Sequence, residues 1–154
     1  MSKAPPAPPS LAVLRQGVLV YVDEVAPASV VAANWSGRTM SLHATSTGKV
    51  LLAWSSEEER AALLPRRLQR FTATTLTDRT SLRTDLERTR DRGYATCHGE
   101  FDDSAWGVSA PVLDHAGSLI AVLSIWGPRD RVLPERFEAL GELAMAAADE
   151  LTTA

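Results

Sequence analysis

Residues 42–54 read Leu42-His43-Ala44-Thr45-Ser46-Thr47-Gly48-Lys49-Val50-Leu51-Leu52-Ala53-Trp54. The stretch opens polar and small, at His43, Thr45, Ser46, Thr47 and Gly48, and turns apolar from Val50 to Ala53. A Ser/Thr cluster ahead of an apolar run marks a helix N-terminus, with Thr45 or Ser46 as the cap. The first turn of such a helix carries free N–H groups and the positive end of the macrodipole, which suits a carboxylate or a phosphate. Gly48 has no side chain to hold a ligand away from that backbone. Most Ser/Thr-Gly starts only cap a helix, so the ligand reading needs support from the rest of the chain.

Upstream, residues 1–10 hold four prolines and read as a disordered, partly polyproline tail. Residues 11–15 and 18–25 then form two strands joined tightly at Gln16-Gly17, and residues 30–35 a third. Downstream, Ser55 with Glu58, or Ser56 with Glu59, supplies a capping box for a second helix that Pro65 ends. Ser81 caps a third helix over residues 82–92, with Leu82 and Leu86 inward and Gly93 as its stop. Residues 94–97 make a short strand. Two longer strands, 108–113 and 118–126, flank the turn Asp114-His115-Ala116-Gly117. The second is apolar on both faces apart from Ser124, and so belongs in the middle of a sheet. Pro134 starts a last helix with Phe137, Leu140, Leu143, Ala147 and Leu151 at inward-facing spacing. Hairpins with intervening helices give an α+β domain over residues 11–154 with a mainly antiparallel sheet.

Composition narrows the function. The 154 residues fit one domain, and a net charge of −3 gives no general attraction for nucleic acid or an anionic membrane. A single cysteine, Cys97, excludes an internal disulfide and fits a reducing cytoplasm. No apolar run approaches the roughly 18 residues of a membrane span, and no apolar leader core follows the N-terminus.

Four motifs then stand in register. Leu42-His43-Ala44-Thr45, Gly48-Lys49 and Leu51-Leu52-Ala53 are followed by Thr75-Leu76-Thr77-Asp78. Next come Arg90-Asp91-Arg92-Gly93-Tyr94 with Glu100, and finally Ala110-Pro111-Val112, Asp114, Gly117 and Leu123-Ser124-Ile125-x-Gly127-Pro128. This series resembles the effector-binding domain of the IclR family of bacterial transcription regulators, over about residues 11–151. The resemblance implies a GAF-like fold: a twisted, mainly antiparallel sheet flanked by helices, with a ligand pocket on one side. It implies a small organic acid as effector, a homo-oligomer, and no cofactor. It also implies that DNA is met through a winged helix-turn-helix ahead of this domain. No segment before Leu42 has room for such a reader.

The same resemblance places the effector carboxylate against Ser46 and Thr47. The remaining contacts fall on Cys97, on Ala105 and Gly107, and on Ser124 and Trp126, alternate residues of one strand. Two positions depart from the family pattern. Many relatives carry an acid at the place of Cys97 and a small residue at that of Trp126. An indole narrows the cavity while adding a flat apolar wall and one N–H donor. Trp106 and Trp35 are further candidates for the wall. A planar or aromatic carboxylate is therefore expected over a two-carbon acid.

Other chemistries are poorly served. Cys97 and His98, adjacent on a strand, face opposite ways and make no catalytic pair. Neither C-x-x-C nor H-x-x-x-H spacing occurs, so no metal site is expected. Gly48-Lys49 lacks the remainder of a phosphate loop, which leaves Lys49 as a surface charge or a partner for an Asp or Glu. Arg83, Arg88, Arg90 and Arg92 read as a solvated helix face paired with Asp85 and Glu87. An enzyme using Cys97 and a ligand-free assembly module are the rival readings.

Overall fold

The computed structural model describes residues 9–15, 18–24, 41–103 and 105–153. The expected tail before Pro9, the Gln16-Gly17 turn and the strand over 30–35 lie outside these residues. Among the described residues five strands form one antiparallel sheet in the order β2-β1-β5-β4-β3. They are β1 (Pro9–Arg15), β2 (Val18–Glu24), β3 (Ala95–His98), β4 (Trp106–Leu113) and β5 (Leu119–Gly127). β1 begins at Pro9, two residues inside the stretch expected to be tail. β5 is central, as its apolar character requires, with Val122, Leu123, Ser124 and Ile125 all buried. Asp114 Oδ1 accepts from the Ala116 and Ser118 amides and closes the β4–β5 turn, where Gly117 takes φ +83°.

Among the described residues the helices are α1 (Ser46–Ala53), α2 (Glu57–Leu63), α3 (Arg79–Arg92) and α4 (Phe137–Thr153), the last entered through a short 3-10 turn at Pro134–Arg136. α1 is capped by Thr45, whose Oγ1 accepts from the Gly48 amide at 3.0 Å. All eight of its residues are buried, although four of them are Ser, Thr, Gly and Lys. In α2 the capping box is the Ser56–Glu59 pair, and the helix stops at Leu63, before the residue that Pro65 forces to be extended. α3 starts three residues earlier than expected. Asp78 is its cap, and its carboxylate accepts from both the amide and the hydroxyl of Ser81. An ionised carboxylate is the stronger acceptor for the free first-turn amides, so Ser81 becomes a donor inside the turn. Gly93 ends the helix at φ +93°.

Alternation splits the sheet into two faces. Val108, Ala110 and Val112 of β4 and Leu123 and Ile125 of β5 pack with Phe137, Leu140, Ala144 and Ala148 of α4. Leu143 and Leu151, expected inward, are 57% and 46% exposed. The stripe that follows the true helical period from Phe137 passes through Leu140, Ala144 and Ala148 and leaves those two leucines on the outer side. The opposite face carries α1, with Val50 packed on Ala95 and Val122. A separate apolar cluster of Leu52, Ala53, Leu68, Leu82 and Leu86 joins α1 to α3. Among the described residues no helix is long and apolar enough to cross a membrane.

Candidate functional site

A helix buried on every side must satisfy its polar groups within the protein. α1 does so in two places. Its N-terminal hydroxyls meet the sheet. Ser46 Oγ lies 2.7 Å from Ser109 Oγ, Thr47 Oγ1 lies 2.6 Å from Ser124 Oγ, and Ser109 and Ser124 are 2.6 Å apart. Ser109 and Ser124 are register partners on β4 and β5, and Ala95 of β3 extends the same row. None of the four hydroxyl residues is more than 5% exposed.

Two residues along each strand, on the same face, the next row is Cys97–Gly107–Trp126. Gly107 is there for closeness: a Cβ at this position would sit 2.3 Å from the Ile125 carbonyl oxygen and 2.8 Å from Trp126 Cα. The Cys97 thiol donates to the Ala44 carbonyl at 3.3 Å and reaches that of Ala105 at 3.5 Å. Burial, reinforced by the negative charge of Glu100, pushes this thiol up to about 11. Trp126 is half-buried at the end of the row.

The expected site residues are thus brought together in part by direct contact and in part by register. Ser46, Thr47 and Ser124 join one hydrogen-bonded cluster, Cys97, Gly107 and Trp126 form the adjoining row, and Ala105 touches that row through its carbonyl. Ser109 is the residue sequence reasoning missed. Its signal was present: it is a serine in an apolar strand, two residues beyond Gly107 and therefore on the same face. Trp106 does not line this face. Its indole donates to the Asp103 carbonyl and lies against His98 and Arg129, and its side chain packs with the α4 core. Trp35 lies outside the described residues. His98 also faces away, with its ring 4.8 Å from that of Phe137.

The second polar device of α1 is Lys49, which is 1% exposed and no surface charge. Its ammonium lies 2.7 Å from Asp85 Oδ2 and 2.7 Å from Glu100 Oε1, and it donates to the Thr96 carbonyl at 3.0 Å. Among the described residues no other donor reaches those two carboxylate oxygens. Burial alone pulls an ammonium down, but Glu100 and Asp85 outweigh it and hold Lys49 above its ordinary 10.5. Asp85 is therefore engaged with Lys49 rather than with the arginines of its own helix. Of those arginines, Arg90 lies over Trp54 and donates to the Ala53 carbonyl, and Arg92 lies over Tyr94. A cleft of about 430 Å³ opens beside this network and shares no residue with the hydroxyl cluster. Among the described residues no group of three His, Cys, Asp or Glu side chains is placed to hold a metal ion.

Known proteins resemble the chain along nearly its whole length. Residues 9–153 match the family model of the bacterial transcriptional regulator IclR C-terminal domain. The chain is 38% identical over 119 residues to the HTH-type transcriptional repressor AllR of Escherichia coli K12, a match that takes in 77% of this chain and 44% of that repressor. The chain thus spans less than half the length of that relative. It superimposes on a double mutant of the Acinetobacter PobR inducer-binding domain in complex with 3-hydroxybenzoic acid. That match has a TM-score of 0.79 at 27% identity, covering 95% of this chain and 87% of the other. It also superimposes on an IclR homologue from Microbacterium hydrocarbonoxydans complexed with 4-hydroxybenzoate, with a TM-score of 0.78 at 28% identity, covering 96% and 60%. The chain belongs to the IclR family of bacterial transcription regulators, as its C-terminal, effector-binding domain.

Proposed function

We propose that this domain senses a small carboxylate, held between the start of α1 at Ser46-Thr47 and the β5 residues Ser124 and Trp126. The observation that carries the reading is the buried hydroxyl cluster at the positive end of α1. Hydroxyls and a helix dipole together favour an anion without adding a fixed charge. Trp126, beside glycine at the adjoining register position, offers a flat wall to a ring. The two hydroxybenzoate complexes among the structural relatives support an aromatic acid as the occupant. Occupancy would alter how protomers of a homo-oligomer sit, and through them a winged helix-turn-helix domain elsewhere in the regulator. Such coupling requires the acid to bind two arrangements with different affinity. A cytoplasmic setting suits both this role and a chain with a single cysteine, Cys97.

A thermal-shift screen of aliphatic and aromatic carboxylates tests the reading. At about a hundred times its Kd a true effector adds roughly 2.7 kcal/mol, a rise of several degrees for a domain of this size. The shift should vanish in Ser124→Val. A panel that leaves wild type unmoved would remove the sensing role and favour pure assembly.

The rival enzyme reading needs a reactive Cys97. With the thiol raised to about 11, roughly 0.03% is thiolate at pH 7.5. Native protein should therefore resist Ellman's reagent for hours and react at once in guanidinium chloride. Labelling of the native protein within minutes would bring the nucleophile back into consideration.

A further inference from the structure

We infer that Ser109, outside the residues the family resemblance places at the effector, is the positioning residue that lets Ser46 donate its proton to a carboxylate. The inference rests on the sensing role proposed above. It starts from proton counting. Each hydroxyl has one proton and two lone pairs. Short contacts run in a chain from Thr47 to Ser124, from Ser124 to Ser109 and from Ser109 to Ser46, at 2.6, 2.6 and 2.7 Å. The remaining approach, Thr47 to Ser109, is long at 3.4 Å.

Ser46 stands at the first position of α1, where an anion is favoured. It can give its proton to an incoming carboxylate and keep its bond to Ser109 only if Ser109 donates to Ser46. Ser109 then has no proton left for Ser124, so Ser124 donates to Ser109. An anion that only accepts thus selects one polarity, in which the O–H dipoles of Ser124, Ser109 and Ser46 all point along the chain towards the ligand. Hydrogen bonds so aligned reinforce one another in a water-free interior. A ligand that also donates, such as a carboxamide, is compatible with other polarities and gains less from the alignment. Ser109 is the link that carries the polarity from strand to helix, and it is 0% exposed, so water does not substitute for it.

The test compares 4-hydroxybenzoate with 4-hydroxybenzamide by titration calorimetry on wild type, Ser46→Ala, Ser109→Ala and the double variant. Loss of a hydrogen bond serving a charged group is worth about tenfold. Ser109→Ala should weaken the carboxylate about tenfold and the amide no more than about twofold. The double variant should bind the carboxylate no worse than Ser46→Ala, because both changes break one chain. Ser109→Cys, close in size and a weak donor, should repeat the result and replaces Ser109→Ala should that variant not fold. Equal weakening of the two probes, or losses that multiply in the double variant, would reduce Ser109 to packing while leaving the sensing role intact. Wild type that binds neither probe, nor acetate, nor 3-hydroxybenzoate overturns the sensing role and this assignment together.

Discussion

Lys49→Met should cost about 3–5 kcal/mol of stability, the usual penalty for removing one partner of a buried ion pair. Among the described residues the ammonium is the only group that reaches Asp85 Oδ2 and Glu100 Oε1, both screened from water. Methionine matches the stem of lysine, so the loss reports charge rather than volume. A domain of this size holds about 5–15 kcal/mol in all, and the melting temperature should fall by about 10 °C. Adding Glu100→Gln to Lys49→Met should recover part of the loss by removing one orphaned charge. The pH dependence follows from the raised pKa. Lysine's contribution is whole below its unfolded value of 10.5 and drains away as pH rises through the higher folded value. The gap between wild type and Lys49→Met should therefore stay flat with respect to lysine ionisation from pH 6 to 9 and shrink only in strong alkali. A loss below about 1 kcal/mol in urea titrations would mean that the trio is far wetter than its burial indicates.

Gly48→Ala should also destabilise, against the sign of helix propensity. Alanine in a helix interior is favoured over glycine by about 1 kcal/mol. Here, however, a Cβ would lie 2.3 Å from Leu42 Cα and 2.4 Å from its carbonyl oxygen. These are backbone atoms, which no rotamer change can move. Either α1 or the segment leading into it must shift, for a net cost of about 3 kcal/mol. Because Ser46 and Thr47 stand on the same turn, the shift should also break their hydroxyl contacts with the sheet and abolish any carboxylate-induced thermal stabilisation. An unchanged or raised melting temperature would show that the close approach is not real.

Local chemistry was legible in the sequence wherever the partner lay close by. The Thr45 cap, the Ser56–Glu59 box, the Gly93 stop and the Asp114–Gly117 turn are each settled within a few residues. So is the central position of β5, because a strand apolar on both faces belongs nowhere else. The misreadings have physical causes of the same range. Ser81, read as the cap of α3, gives way to Asp78, whose carboxylate is the stronger acceptor for the first-turn amides. Leu143 and Leu151 fit a loose helical spacing but fall outside the narrower stripe that touches the sheet. Pairings set by tertiary register were not legible. Ser109 becomes part of the site only once β4 and β5 are aligned, and Lys49 becomes a core residue only once Asp85 and Glu100 are folded over it. The order of the motifs, rather than any one residue's chemistry, carried the site assignment.

The strand order has a consequence for biosynthesis. β1 pairs with β5, and this ladder joins Pro9 to Ile125, so the sheet cannot be completed until most of the chain has left the ribosome. The β4–β5 hairpin closes over a four-residue turn, whereas the β1–β5 ladder must first overcome the loop entropy of nearly the whole domain. During translation the β1–β2 pair waits with the β1 edge bare, a state in which two nascent copies can pair with each other instead. Slow, late closure of that edge is the step at which chaperone dependence and domain-swapped assembly of this protein should concentrate.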